Sequence, residues 1–179
     1  DPGLSIAVST IDSFQPETLS IGTQYRGDGW RIGGSIEQQK WSELESVFAN
    51  DSVKDQQGVA AASRMKFDDI LVPRLGGEYN LNKNFAFQAG IAFEESPLKS
   101  DRNPEVNYLD TDKIVVGLGL SATYDRTRLL AYPVRFDIGY QYQQLQKRDF
   151  TIVDFNGNEE AVTADGDIHV VSGSVTLKF

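Results

Sequence analysis

The sequence predicts an all-β protein, an antiparallel up-and-down transmembrane β-barrel of about eight strands, and three observations lead there. Apolar and polar residues alternate with period two through most of the chain, the signature of strands with one greasy and one wet face. Short and long connections alternate between these stretches, so the two ends of the sheet differ. Aromatic residues gather at the short-turn ends and on the apolar face.

The first stretch, Leu4 to Thr10, alternates weakly. It is followed by two clearer ones, in which Leu19, Ile21, Thr23 and Tyr25 share a face, then Trp30, Ile32, Gly34 and Ile36. Ile70 to Tyr79 is weaker again and carries Pro73 on its apolar side. A closed barrel has no edge to hide a residue without an N–H, so a bulge or kink is expected at Pro73. Phe85, Phe87, Ala89, Ile91 and Phe93 follow. In IVVGLGLSATY, Ile114, Val116, Leu118, Leu120, Ala122 and Tyr124 oppose a face that includes Gly117, Gly119 and Ser121. In YPVRFDIGYQY, Tyr132, Val134, Phe136, Ile138, Tyr140 and Tyr142 oppose Arg135, Asp137, Gln141 and Gln143. The chain closes on HVVSGSVTLKF, with Val171, Gly173, Val175, Leu177 and Phe179 on one face. No stretch reads as a helix.

Three connections are tight, namely 26–29, 80–84 and the DRTR region at 125–128. Four are long: 11–17, Ser42 to about Phe67, Glu95 to Thr111, and Asp149 to about Asp167. Outer-membrane barrels have this asymmetry, with short periplasmic turns and longer outer loops. Tyr25, Trp30, Tyr79, Phe85, Tyr124, Tyr132 and Phe179 all fall at the short-turn end. They are expected to form a girdle at headgroup level, where amphipathic rings are favoured.

Composition narrows the function. The net charge of -9 argues against nucleic acid as a partner, because phosphate binding relies on Lys and Arg. The absence of Cys removes disulfides, thiolate metal sites and a Cys nucleophile. No run approaches the ~20 apolar residues of a membrane helix, a constraint that strands escape. The opening DPGLS has neither an initiator Met nor a basic and apolar leader, as expected of a mature or truncated piece. His169 is the single histidine. Ser172 and Ser174 lie on the opposite parity from it, so local residues make a poor triad, and no catalytic residue is assigned. Asp149, Asp154, Glu159, Glu160, Asp165 and Asp167 make the stretch before the last strand acidic, as befits a solvated surface, with cation bridging to surface lipid as the alternative. DFNGNEE and ADGD lack calcium-loop spacing, and no metal site or cofactor is expected. On the polar parity lie Arg31, Glu37, Arg74, Glu78, Glu94, Arg135 and Asp137. A salt-bridge lattice supporting the barrel wall accounts for such a set, and the cations Arg74 and Arg135 are also candidates for ligand contact.

At QAGIAFEESPLKSDRNPEVNYLDTDKIVVGLGLSATYD, residues 88–125, the sequence resembles the FadL family of outer-membrane transporters for long-chain fatty acids and other hydrophobic compounds. The likeness is carried by the G-I-A-F strand, the acidic pair before Ser96 and Pro97, and Asp110, Thr111 and Asp112 leading into a Gly-rich strand. It extends through RLGGEYNLNKNFAFQ, back to Trp41 and Ser42 and forward to the terminal aromatic strand.

The resemblance implies a barrel of about fourteen strands with an amino-terminal hatch. Residues 1–179 would be one segment from its carboxyl part, without the hatch or about six strands. It implies residence in the bacterial outer membrane as a multi-pass barrel and passive, hatch-gated uptake of fatty acids or similar molecules without covalent chemistry. It places a basic residue near Arg64 and Lys66 against the ligand carboxylate. Phe179, with Leu177 and Val175, resembles the signal read by the barrel assembly machinery. Outer-membrane lipid is the other expected partner. The alternatives are a small structural or enzymatic outer-membrane barrel, and a soluble ligand-binding barrel with its apolar face turned inward.

Overall fold

The computed structural model describes residues 14–45, 66–103, 109–124, 132–153 and 157–177. In chain order the strands are β1 (Glu17–Gly27), β2 (Trp30–Lys40), β3 (Ile70–Asn80), β4 (Phe85–Glu94), the two-residue β5 (Arg102–Asn103), β6 (Lys113–Tyr124), β7 (Val134–Val153) and β8 (Glu159–Leu177). All but β5 form one antiparallel meander in sequence order. Among the described residues no pairing joins β1 to β8, so the sheet is an open barrel fragment. The predicted strand at Leu4 to Thr10 and the turn at 125–128 lie outside the described residues.

The period-two pattern decides the faces. Leu19, Ile21, Leu75, Ile91, Leu118 and Ile138 are all about half exposed or more, which suits a face solvated by lipid rather than water. From Ile114 to Tyr124 this face runs about 33 Å at about 3.3 Å per residue. At a tilt of about 40° that covers about 25 Å of bilayer, the height of a lipid-facing band. Below it the aromatic rings meet: Tyr25 and Trp30 at 5.5 Å, Phe85 and Tyr124 at 6.4 Å, Tyr124 and Phe136 at 6.4 Å between centroids. The β1–β2 turn is tight because Gly29 takes φ 75°, a conformation that suits glycine. Gly27 lets the Trp30 indole lie directly over the backbone, where a Cβ would stand 2.3 Å from the ring.

Four expectations are corrected. Asp149 to Asp167 is not a long loop: β7 and β8 continue as a paired hairpin to Val153↔Glu159. Phe150, Thr151 and Ile152 are good strand formers, and their cross-strand pairing outweighs the acidity of the stretch. The regular alternation of short and long connections therefore fails at the last hairpin. Pro73 causes no bulge, since the β2–β3 register runs unbroken through Ile36↔Pro73. The β3–β4 ladder ends at Arg74↔Ala92, so Pro73 has a partner strand on one side only and its missing donor leaves no ladder bond unmade. β5, inside the predicted loop 95–111, pairs parallel with β7 through Arg102↔Thr151 and Asn103↔Ile152. A helical turn at residues 43–45 also forms, with Leu44 N–H donating to the Trp41 carbonyl at 3.0 Å.

The hairpin extension contains the feature that organises the loop end. Leu145 pairs with Gly166 and Arg148 with Ala164, so Gln146 and Lys147 together oppose Asp165. This bulge shifts the phase of β7 by one residue. Below it Phe136 and Ile138 point outward; above it Phe150, also an even position, is 2 % exposed. Phe150 joins Leu44, Phe67 and Leu98 in a small apolar core, with Phe14, Trp41, Leu109 and Ala164 packed against it.

Candidate functional site

The inner face carries three layers, set by the side chains at inward parity. Nearest the short turns is a continuous hydrogen-bonded belt from β2 to β8. Arg31 pairs with Glu78 at 2.9 Å. Gln88 Nε2 donates to Glu78 at 3.2 Å and to Ser121 Oγ at 2.9 Å. Ser121 Oγ donates to Asp137 at 2.5 Å, and Arg135 donates from Nε to Asp137 at 2.7 Å and from Nη2 to Ser121 at 2.8 Å. Ser174 Oγ completes the row, donating to the other Asp137 oxygen at 3.2 Å. Arg31↔Glu78, Glu78↔Gln88, Ser121↔Asp137 and Asp137↔Ser174 are direct cross-strand neighbours, so the register itself assembles the belt.

Above the belt the wall is nearly bare. Gly33↔Gly76, Gly76↔Gly90 and Gly90↔Gly117 are successive cross-strand pairs. They floor an open trough of about 840 Å³, whose walls include Arg74, Glu94, Gln141 and Gln143. A Cβ at Gly117 would meet nothing within 4 Å. Removing side chains at one level of several strands makes room that a filled barrel interior lacks.

Charges close the trough on the loop side. Arg74 grips Glu37 bidentately, at 2.9 and 3.3 Å. Gln39 Nε2 donates to the same carboxylate at 2.6 Å, and Trp41 Nε1 donates to Gln39 at 2.8 Å. Lys113 lies 3.2 Å from Glu94 and 3.4 Å from Asp110. Further out, Arg148 bonds Asp101, the Ser96 hydroxyl at 3.2 Å and the Asp110 carbonyl at 3.3 Å. Its guanidinium also stacks on Phe150, 5.1 Å from the ring centre. Ser42 docks by donating its N–H and hydroxyl to Asp69 at 3.0 and 2.7 Å. The hydroxyl bond first, and the N–H bond second, hold the Asp69 carboxyl below its ordinary pKa.

The residues expected to matter are thus distributed. Arg31, Glu78, Arg135 and Asp137 stand in the belt; Glu37, Arg74 and Glu94 stand at the trough. Lys66 is exposed at the loop end, where its carbonyl accepts the Lys99 N–H at 2.9 Å. Arg64 and Phe179 lie outside the described residues, while Val175 and Leu177 are on the outward face. Gln88, Ser121, Ser174, Arg148 and the glycines of the trough floor other than Gly117 are not singled out by sequence reasoning. Except for Arg148, which the bulge turns inward, their inward parity was available as a signal; which of them share a level was not.

The acidic stretch is partly satisfied internally. Asp149 accepts from Thr163 at 2.6 Å, Glu159 pairs with Arg102, and Asp167 meets His169 at 2.7 Å. His169 also meets the Tyr140 hydroxyl at 2.7 Å, on the outward face rather than in a pocket. Among the described residues no cluster of acidic or histidine side chains is arranged to hold a metal ion, and no helix is long and apolar enough to cross a membrane.

Residues 9–179 match the protein family described as outer membrane protein transport protein (OMPP1/FadL/TodX). The chain is 76% identical over 179 residues to alkane uptake protein A of Marinobacter nauticus, covering all of this chain and 40% of that protein. It is 30% identical over 149 residues to outer membrane protein P1 of Haemophilus influenzae, covering 83% of this chain and 30% of that one. A long-chain fatty acid transport protein of Escherichia coli O6:H1 is 27% identical over 123 residues, covering 68% of this chain and 25% of that one. The crystal structure of a Pseudomonas aeruginosa FadL homologue superposes with a TM-score of 0.62 at 15% identity, over 89% of this chain and 34% of that one. The chain therefore spans about a quarter to two fifths of the length of these relatives.

Proposed function

From a chain that belongs to the outer membrane protein transport family (OMPP1/FadL/TodX), we propose that the whole protein carries hydrophobic molecules, alkanes foremost, across the outer membrane. The observation that carries this reading is the 76% identity, over every residue of the chain, to a protein named for alkane uptake. The geometry supports it: an apolar outer face suits lipid, and a bare inner trough of about 840 Å³ offers a path for an acyl or alkyl chain. Long-chain fatty acids are the second reading, favoured by relatives of that name at 27% and 24% identity.

The mechanism proposed is passive diffusion gated by a plug from the remainder of the protein, with no covalent step. In it the belt of Arg31, Glu78, Arg135 and Asp137 braces the wall and the plug, while Arg74 lines the trough that the cargo follows. Residues 1–179 act as one segment of a larger barrel, whose assembly machinery reads Val175, Leu177 and Phe179. Backbone groups on the open edges of β1 and β8 find no partner in lipid, so the segment is expected to need the other strands.

Radiolabelled hexadecane uptake tests the proposal in cells that lack a transporter of this family. The full-length protein is expected to restore uptake, and residues 1–179 behind a secretion signal are not. No uptake with the full-length protein would refute the transport reading; equal uptake by both would refute the segment reading.

A further inference from the structure

Resting on the transport reading, we infer that Glu37 makes the trough selective for uncharged cargo by neutralising Arg74, so that alkanes and esters pass and free carboxylates are rejected. Every cation along the inner face of β2 to β7 already has a carboxylate partner among the described residues. Arg31 is held by Glu78, Arg74 by Glu37, Lys113 by Glu94 and Asp110, Arg135 by Asp137, and Arg148 by Asp101. Counting the pairs at the loop-side end of the trough as well as its lining, the balance is two cations, Arg74 and Lys113, against three carboxylates, Glu37, Glu94 and Asp110. Lys66 is exposed at the loop end and outside the trough lining.

A carboxylate leaving water for a narrow apolar path needs a counter-charge; an alkyl chain needs none. Arg74 is the single cation lining the trough among the described residues, and it is not available. Both guanidinium nitrogens that face Glu37 are engaged, at 2.9 and 3.3 Å. Glu37 is itself fixed by Gln39, and Gln39 by the Trp41 indole, at 2.6 and 2.8 Å. A fatty-acid headgroup would have to displace a preorganised, bidentate partner and leave Glu37 facing it as a like charge. The neighbouring Glu94 adds to that repulsion.

The test uses the full-length protein in the outer membrane of cells without a transporter of this family, with hexadecane, methyl palmitate and palmitate as probes. Wild-type protein is expected to take up hexadecane and methyl palmitate and to discriminate against palmitate by about ten-fold or more. Glu37→Gln keeps the side-chain shape but frees the Arg74 charge. It is expected to raise palmitate uptake by about ten-fold while hexadecane uptake stays within about two-fold. Heat-modifiable electrophoretic mobility reports whether the variant has folded. Palmitate uptake equal to that of its methyl ester in the wild type overturns the inference, as does unchanged exclusion of palmitate by folded Glu37→Gln. If the variant fails to assemble, the wild-type comparison of acid and ester still decides. Uptake of none of the three probes sinks the transport reading itself, a distinguishable result.

Discussion

Arg148 donates from Nε and Nη2 to a single carboxylate oxygen of Asp101, at 3.0 and 2.8 Å. Asp101 is largely exposed, so the ion pair alone contributes little. The remaining contacts of Arg148, to Ser96, the Asp110 carbonyl and the Phe150 ring, are more sheltered and tie the segment before β6 onto β7. Arg148→Ala is expected to cost about 1–3 kcal/mol locally and to open the segment at Ser96 to Asp101 to protease. The heat-modifiable migration of the barrel should not change. Wild-type protease resistance in the variant would show that the segment is held by other means.

The bulge is the device that brings Arg148 and Phe150 inward. Inserting one residue between Ala164 and Asp165 gives Gln146 and Lys147 a partner each, restores strict alternation and turns Arg148 and Phe150 outward, stripping the Leu44, Phe67 and Leu98 core of its Phe150 partner. Trp41 packs against that core, with its ring centre 5.8 Å from that of Phe14. Its fluorescence is expected to shift to the red in the insertion variant. An unshifted spectrum would contradict the phase argument.

Orientation is tested by arginine placed on either face. Leu118→Arg is expected to cost about 2–4 kcal/mol near the bilayer midplane, and Gln143→Arg, facing the trough, markedly less. Ser121 is unsuitable as the inner control, because it is 4 % exposed and central to the belt. Folding titrations into lipid vesicles that give equal costs at both positions would invert or abolish the assigned faces.

Ser121 has its own prediction. Its hydroxyl links Gln88, Arg135 and Asp137, so Ser121→Ala leaves three polar groups short of a partner. A loss of about 1–3 kcal/mol is expected, and Ser121→Thr should recover part of it. A neutral alanine would mean that water replaces the hydroxyl without loss.

The Ser42–Asp69 tie predicts a pH response at the loop end. Because folding lowers the Asp69 pKa, the stabilisation is present above the unfolded value, near 3.8, and is lost as the pH falls through the lower folded value. Trp41 fluorescence should therefore change in that acid range. Asp69→Asn should remove the transition, and its persistence in that variant would assign the change to another group.

The order of the strands and the lipid-facing set were determined by the sequence itself. Period-two alternation is a local property, and each strand from Leu19 to Leu177 carries it without reference to its neighbours. Local pattern also placed Arg31, Arg74, Glu78 and Asp137 on the wet face. What it did not contain was level, since the height at which one strand meets the next is a property of register. Only the pairings reveal that Gly33, Gly76, Gly90 and Gly117 lie in one row, or that Ser121 is within reach of Gln88, Arg135 and Asp137. The acidic composition of 149–167 argued for a loop, yet the cross-strand pairing of Phe150 to Val162 and its neighbours overrode it. The bulge at Gln146 and Lys147 then reversed the parity of everything beyond it on β7. A single inserted residue changes no composition and little periodicity, but it decides whether Phe150 faces lipid or a core. The charge state of the trough was likewise tertiary: Arg74 is one cation in the sequence, and its geometry with Glu37 is what makes it a neutral pair.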